Sequence, residues 1–260
     1  MESLLPTARR FAAARAFLPR LRVVFAAGMA PPGQGPNANL YWFEQPSDPF
    51  QEKWTRHHVV TQYSLNNLDV ADMNGDGSPD IITAEHKGPD LKLQVWQNDG
   101  KGNFALTTVD RGKESHLGAR VADLNRDGAM DIVSIGWDRY AYLHLWRNDG
   151  LSHPPQSGPG ISWKHLSSAR GDFPPPGVGD QAASLLLDID KDGKDEIIIA
   201  GWGDTSSVWY KRNSDTWDRY LLDASKSPSI GGRIAPLRPT TRRTSPSGQT
   251  TRASNPSGSR

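Results

Sequence analysis

The chain contains no cysteine among its 260 residues. Disulfides and thiolate metal sites are therefore excluded, although a lack of cysteine is compatible with any cellular compartment. No stretch is long and apolar enough to predict a transmembrane segment. The sequence also lacks a phosphate-binding glycine loop, a zinc-protease helix motif and a Ser-His-Asp order. None of those enzyme classes is therefore indicated.

The formal net charge of +1 conceals a strong partition of charge along the chain. Residues 40–223 hold 28 of the 29 acidic residues and 18 of the 30 basic residues, which gives a net charge of −10. Residues 1–39 carry +4 and residues 224–260 carry +7. An acidic middle segment suits the binding of hard cations, whereas the basic ends predict segments of a different kind.

The two ends of the chain differ from the middle in composition. Residues 1–39 combine five arginines with a short apolar run over residues 23–30, and Pro19 and Arg22 interrupt that run on its N-terminal side. This pattern predicts a basic leader that is disordered or serves in targeting. Residues 225–260 consist mainly of Ser, Pro, Thr, Gly and Arg, which predicts a disordered tail. No fold or aromatic platform accompanies the arginines, so we expect no nucleic-acid partner.

Three short acidic stretches repeat one motif in the middle of the chain. They occupy residues 72–80, 123–131 and 188–196. Each places an oxygen-bearing side chain at positions 1, 3, 5 and 9 and a glycine at position 6. Short loops with oxygen ligands at alternating positions and a glycine at the sharp turn wrap hard cations such as Ca²⁺. Acidic turns also occur without a metal, but three copies in the same context favour the metal interpretation.

An EF-hand is the main alternative for such a loop, and the flanking residues argue against it. An EF-hand requires a glutamate at position 12 and a helix on each side. Position 12 is Thr83, Ser134 or Ile199 in the three loops. A β-branched run follows each loop, and such runs favour a pleated, packed surface. Each motif therefore predicts a strand–loop–strand connection.

The strand pattern around the loops also repeats. The predicted strands that precede the loops begin at Leu68, Ala119 and Ser184, and those that follow the loops cover residues 80–84, 131–135 and 196–200. A tryptophan-containing strand comes next in each copy, around Trp96, Trp146 and Trp209, and a final short strand closes the copy. A further tryptophan strand, residues 40–45, lies upstream. One unit is thus four antiparallel strands, which is the composition of a β-propeller blade.

The loops and the Val-Trp-x-Asn-Asp-Gly strands resemble the FG-GAP/VCBS repeat family, the blades of integrin α-subunit propellers and of many secreted bacterial proteins. The resemblance covers roughly residues 40–223 and implies a structural Ca²⁺ in each loop. Carried over by position, the implied ligands are Asp72, Asn74, Asp76 and Asp80, then Asp123, Asn125, Asp127 and Asp131, then Asp188, Asp190, Asp192 and Glu196. Asparagine at position 3 lowers the ligand charge of the first two loops, so we expect the third loop to bind Ca²⁺ more tightly.

The sequence therefore predicts an all-β fold, a β-propeller of four-stranded antiparallel blades. Complete propellers have about 4–8 blades, and the repeats here account for about three to four. We expect an incomplete arc that the rest of a propeller or a larger chain completes. The predicted organisation is a leader at residues 1–39, repeats at residues 40–224 and a tail at residues 225–260. The resemblance also implies a secreted, extracellular or periplasmic location.

The face opposite the metal loops is where we expect a ligand, because the loops of a propeller alternate between two faces. That face collects the acidic, histidine and tryptophan residues Glu85, His86, Glu114, His116, Trp137, Asp138, Trp202 and Asp204. Tryptophan rings stack on sugar faces and acids bond hydroxyl groups, so this set suits a carbohydrate. It would also suit an acid–base site or a second metal. In the alternative interpretation Trp137 and Trp202 pack between repeats and His116 is an ordinary loop histidine.

Three functional interpretations remain at this point. The first is a non-catalytic, calcium-binding module for adhesion to a glycan or an extracellular protein partner. The second is a propeller-based carbohydrate-active enzyme, a polysaccharide lyase or sugar dehydratase, with His116 and Glu114 or His86 at the channel mouth. The third is a purely structural module within a larger secreted protein. The loops support the first interpretation directly, and we adopt it without assigning a catalytic residue.

Overall fold

The structure, a computed structural model, describes residues 21–27, 38–65, 67–85, 89–112, 118–136, 142–150, 161–201 and 207–224. Sheet A contains β1 (Leu21–Ala27), β2 (Ala38–Glu44) and β3 (Thr55–Gln62). Sheet B contains β4 (Asn67–Ala71), β5 (Asp80–Ala84), β6 (Leu93–Asn98) and β7 (Phe104–Asp110). Sheet C contains β8 (Gly118–Ala122), β9 (Asp131–Ile135), β10 (Leu143–Asn148) and β11 (Trp163–Ser167). Sheet D contains β12 (Gln181–Leu187), β13 (Glu196–Gly201), β14 (Ser207–Asn213) and β15 (Thr216–Asp223).

Neighbouring strands within each sheet run antiparallel and follow chain order. Sheets B, C and D are therefore four-stranded meanders of the kind that form propeller blades. Their first strands are neighbours, since β8 lies between β4 and β12. This is the arrangement of innermost strands in adjacent blades. The predicted all-β fold class with four-stranded antiparallel sheets is confirmed.

The core of the protein lies between consecutive sheets. Between sheets A and B the buried cluster includes Leu40, Ile81 and Trp96. Further clusters of aliphatic and aromatic side chains fill the space between sheets B and C and between sheets C and D. Face-to-face sheet packing buries both faces of the central strands, which explains their uninterrupted apolar runs. All five residues of β5 and all five of β9 are buried.

The strand register corrects one feature of the predicted repeat. Trp96 pairs with Ile81 in sheet B, and Trp146 occupies the same register in sheet C. In sheet D the residue at that register is Tyr210, which is fully buried, and not the predicted Trp209. Trp209 instead lies on the other face of sheet D, where it stacks on Tyr220 of β15 with ring centroids 4.5 Å apart. One residue of register therefore moves the aromatic side chain to the other face of the strand.

Sheet A also extends beyond the predicted boundary of the repeats. Its strand β1 covers Leu21–Ala27 and pairs with β2, so sheet structure begins upstream of residue 40. The short apolar run noted in the leader overlaps this strand. In the described part of the chain no helix has the length and apolar character required to cross a membrane.

Candidate functional site

The three acidic loops connect the first and second strands of sheets B, C and D. They share one backbone conformation, because positions 4 and 6 of each loop have positive φ. The φ values at position 4 are 75° for Gly75, 62° for Arg126 and 64° for Lys191, and at position 6 they are 88° for Gly77, 91° for Gly128 and 85° for Gly193. The glycine at position 6 was predicted from the motif. The left-handed residue at position 4 was not, because Arg and Lys give no sequence signal for that conformation.

In the first loop the side-chain oxygens are engaged by the loop itself. The Asp72 carboxylate accepts hydrogen bonds from the backbone N–H of Gly75 and of Gly77, both at 2.8 Å. The Asn74 amide donates to Asp76 Oδ2 at 2.9 Å. The predicted ligands Asp72, Asn74 and Asp76 therefore lie together at the turn.

The second loop repeats most of these contacts. Asp123 accepts from the backbone N–H of Asp127 at 3.1 Å and of Gly128 at 2.9 Å. The Asn125 amide donates to Asp127 Oδ2 at 2.7 Å. Two loops with different neighbours thus reach the same geometry, which identifies the motif itself as its cause.

The acid at position 9 ties its loop to the rest of the sheet. Asp80 Oδ2 accepts from the Met73 N–H at 2.9 Å, and Asp80 Oδ1 accepts from the Asn98 N–H at 2.8 Å. Asp131 makes the corresponding bonds to Leu124 and Asn148. Burial raises the pKa of Asp80 to about 6 and that of Asp131 to about 7, against the opposing effect of these backbone hydrogen bonds.

The third loop presents a different arrangement of acids. Asp188, Asp190 and Glu196 each bring a carboxylate oxygen to within 4.8 Å of the other two, and among the described residues this is the one group of its kind. Glu196 accepts from the Ile189 N–H at 2.7 Å. Asp188 Oδ1 is buried and has no hydrogen-bond partner. A buried oxygen without a donor requires a cation or a proton donor, so these residues fit a hard cation.

A lysine from β14 contacts the same loop. The Lys211 ammonium donates to Asp192 Oδ2 at 3.0 Å and also donates to Asp190 Oδ2. These side chains are between a quarter and a third exposed. The pKa of Asp192 is lowered chiefly by the hydrogen bond from Lys211. The fourth predicted ligand of the loop, Asp192, is thereby held by a neighbouring strand, and the motif gave no indication of that contact.

Adjacent sheets are bridged at the loops by side chains from the hairpin strands. Asn148 at the end of β10 donates through Nδ2 to the Met73 carbonyl of the first loop at 2.9 Å. Arg212 at the same register of β14 donates through Nη1 to the Leu124 carbonyl of the second loop at 3.2 Å. These bridges join the first loop to sheet C and the second loop to sheet D. They are long-range contacts that no local pattern predicts.

On the opposite face the structure describes one of the predicted ligand-binding candidates, Glu85. Its Oε2 accepts from the Lys92 N–H at 3.0 Å, whereas its Oε1 is buried without a hydrogen-bond partner. Burial raises the pKa of Glu85. The remaining candidates on this face lie outside the described residues, and they are His86, Glu114, His116, Trp137, Asp138, Trp202 and Asp204.

Sequence reasoning missed Gln181, the first residue of β12. Its side chain is fully buried, and in the part of the chain that the structure describes neither its amide nitrogen nor its amide oxygen has a hydrogen-bond partner. Gln181 pairs with Gly201 at the end of β13, so it lies at the end of sheet D away from the third loop. The one feature of the sequence that could have indicated this buried amide is a glutamine at the start of an apolar innermost strand.

Comparison with known proteins identifies the repeat. Residues 72–134 match the family model of the FG-GAP-like repeat. Among solved structures, the rhamnogalacturonan lyase PL11 of Bacillus licheniformis is similar at 16% sequence identity with a TM-score of 0.38. That match covers 77% of this chain and 47% of the lyase, so the chain spans about half the length of that structure. The comparison with curated proteins gave no match. The chain therefore carries an FG-GAP-like repeat over residues 72–134, which confirms the resemblance to the FG-GAP repeat family predicted from the loops and the tryptophan strands.

Proposed function

We propose that the chain is a calcium-stabilised, propeller-type binding module. In this proposal the acidic loops hold Ca²⁺ as a structural ion, and the opposite face binds a glycan or an extracellular protein. The module is non-catalytic and acts outside the cell or in the periplasm. Its four-stranded sheets B, C and D serve as blades of a propeller-type fold.

The observation that carries the calcium proposal is the third loop. Asp188, Asp190 and Glu196 converge within 4.8 Å, and the buried Asp188 Oδ1 has no donor. Carboxylates brought this close repel one another unless a cation lies between them. Ca²⁺ accepts 6–8 oxygen ligands in flexible geometry, which a short acidic loop supplies together with backbone carbonyls and water.

The connections of the loops support a structural role for the ion. The position 9 acids Asp80 and Asp131 already bond to the hairpin strands through Asn98 and Asn148. An ion held by the oxygens at positions 1, 3, 5 and 9 of the same loop would fix the turn that these acids anchor. Ca²⁺ would then rigidify the connection between the first two strands of a sheet without contacting a substrate.

The buried polar groups of the opposite face support a ligand there. Glu85 Oε1 and the Gln181 amide are buried without partners among the described residues, and native structures leave few such groups unsatisfied. A sugar hydroxyl both donates and accepts, so it can satisfy a carboxylate oxygen and both ends of an amide. This favours a glycan over an apolar partner surface.

The calcium proposal is tested by the melting temperature of the full chain with millimolar Ca²⁺ and with chelator. A ligand that binds only the folded state raises the melting temperature, and removal of the ligand reverses the rise. Asp188→Asn should reduce the response, whereas Asp218→Asn on β15, outside the loops, should not. An equal melting temperature with Ca²⁺ and with chelator contradicts the proposal.

A further inference from the structure

A cleft opens between sheets C and D, beside the second and third loops. Two adjoining cavities of about 320 Å³ and about 150 Å³ form it, and Leu124, Asn125 and Arg212 border both. The larger volume falls in the range of small-molecule sites. We call this space the interblade cleft and define it by its basic and aromatic lining, Arg126, Arg147, Lys164, Lys194, Arg212 and Trp217.

The interblade cleft concentrates positive charge in an acidic protein. Five of the 18 basic residues of the segment 40–223 line it, although that segment has a net charge of −10. Of the five, Arg147 is paired with Asp149, at 2.6 Å. The other four form no ion pair within the described residues. Their positive charge is therefore available to a ligand.

The acids near the cleft do not cancel this charge. Asp131 and Asp215 also border the larger cavity. Asp131 directs its two oxygens to the backbone N–H groups of Leu124 and Asn148, and it is fully buried. Asp215 is a single exposed side chain. The four cations without an ion pair thus outnumber the two acids that border the same space.

Arg212 departs from the repeat at this position. The equivalent register holds Asn98 in sheet B and Asn148 in sheet C. Asn148 bridges to the preceding loop through one hydrogen bond, as Arg212 does to Leu124, so the bridge alone does not require a positive charge. Arg212 Nε also donates to the Ser214 carbonyl at 2.9 Å. Two neutral carbonyls orient the guanidinium and leave its charge and remaining N–H donors unpaired.

The floor of the cleft is apolar. Trp217 lines it and is 6% exposed, and Leu145 and Leu166 lie beside it. Phe173 packs against Trp217 with ring centroids 5.5 Å apart, which fixes the indole ring in place. A rigid apolar floor beneath unpaired cations suits a ligand that has both negative charges and C–H faces. A bare inorganic anion offers only the first of these.

We propose that the interblade cleft binds an acidic oligosaccharide. Its carboxylates pair with Arg212 and Lys164, and the C–H face of a sugar ring lies on Trp217. This site is separate from the face that carries Glu85 and Gln181. None of these three contacts uses a loop carboxylate, although Asn125 and Asp131 of the second loop border the larger cavity.

The test is calorimetric titration of the full chain with a hyaluronan tetrasaccharide, with cellotetraose and tripolyphosphate in separate arms. The hyaluronan fragment should bind, and its affinity should fall as salt is raised because the charge pairs lie at the surface. Cellotetraose, which has the rings without the charge, should not bind measurably. Tripolyphosphate, which has the charge without the rings, should bind more weakly than the hyaluronan fragment.

The variants use residues that the repeat itself offers. Arg212→Asn restores the residue of the other sheets and keeps a bridging side chain, and it should weaken hyaluronan binding about tenfold or more. Lys164→Gln changes an exposed side chain and should also weaken binding, which keeps the test valid if Arg212→Asn fails to fold. Arg219→Gln is the matched control, because Arg219 likewise donates to a backbone carbonyl, that of Pro176, but lies outside the cleft.

Three results would overturn the proposal. One is the absence of hyaluronan binding. Another is binding that neither Arg212→Asn nor Lys164→Gln weakens. The third is tripolyphosphate binding as tightly as the tetrasaccharide, which would identify a general anion site in place of a carbohydrate site.

Discussion

The Lys211 ammonium lies 3.0 Å from Asp192 Oδ2 and also donates to Asp190, so a positive charge from β14 contacts two acids of the third loop. The number of carboxylates predicts that this loop binds Ca²⁺ more tightly than the other two. Lys211 opposes that prediction, since its charge competes with a metal for the same oxygens. At the same register sheet B has Gln97 and sheet C has Arg147, so the lysine is specific to sheet D.

Replacing Lys211 separates these two effects. Lys211→Gln introduces the residue of sheet B, and we expect a gain of several-fold to about tenfold in the Ca²⁺ affinity of the third loop, because partly exposed ion pairs contribute up to about 1 kcal/mol. Without Ca²⁺ the same variant should melt at a lower temperature, since three acids then face one another. Calorimetric titration and thermal melting measure both quantities. Arg147→Gln is the control, because Arg147 occupies the same register but pairs with Asp149 outside the third loop. Equal Ca²⁺ affinity in the wild type and in Lys211→Gln would show that Lys211 does not compete with the metal.

Gln181 provides a test of the opposite face. Gln181→Leu replaces an amide whose two polar atoms are buried without partners, so we expect the variant to be as stable as the wild type or more stable. If the amide serves a ligand, the same variant should bind less glycan on a screening array. Ser184→Ala removes another buried, unpartnered hydroxyl of β12 and serves as the control. Loss of stability with unchanged glycan binding would assign Gln181 to packing alone.

The buried acids at position 9 predict an unusual pH dependence. The pKa values of Asp80 and Asp131 in the folded chain, about 6 and about 7, lie above the ordinary aspartate value of 3.8. The folded state therefore holds more protons than the unfolded state between these values, and the contribution of both groups to stability falls as pH rises from about 4 to about 7. Ca²⁺ binds the deprotonated loops, so its stabilising effect should grow over the same interval.

Melting curves in chelator, from about pH 5 to about pH 8, measure this dependence. The comparison with Asp131→Asn isolates the larger contribution, because asparagine does not titrate. The variant should show a smaller decrease in melting temperature with rising pH than the wild type. Identical slopes for the two proteins would show that Asp131 does not hold an extra proton in the folded state.

Asn148 should be important for stability because it joins two sheets. Its Nδ2 donates to the Met73 carbonyl, its Oδ1 accepts from the Gly150 N–H at 3.0 Å, and it is fully buried. Asn148→Ala should lower the free energy of unfolding by about 1–3 kcal/mol, as expected when buried groups lose their partners. Asn213→Ala, at an exposed position at the end of β14, should change it little. Denaturant unfolding of both variants measures this difference. Equal free energies of unfolding for Asn148→Ala and Asn213→Ala would show that the Asn148 bridge does not stabilise the fold.

Much of this fold could be predicted from local pattern. The strands predicted over residues 80–84 and 131–135 have the same bounds in the structure, because β-branched runs bounded by Asp and Gly turns signal buried strands directly. The motif also located the loop oxygens. The local pattern did not predict the strand register or the long-range contacts. The buried aromatic residue of β14 is Tyr210 and not Trp209, and Lys211 contacts Asp190. The burial of Gln181 was likewise not predicted. Each of these depends on how separate strands align, and composition does not encode that alignment.

Binding of Ca²⁺ by the acidic loops is measured most directly by the amount of ion that the full chain retains. Equilibrium dialysis of chelator-stripped protein against millimolar Ca²⁺, followed by metal quantification, measures that amount. We expect retained Ca²⁺ to approach one ion for each of the three loops, and Asp188→Asn to retain less. Protein that retains no more Ca²⁺ than the surrounding buffer would contradict this expectation.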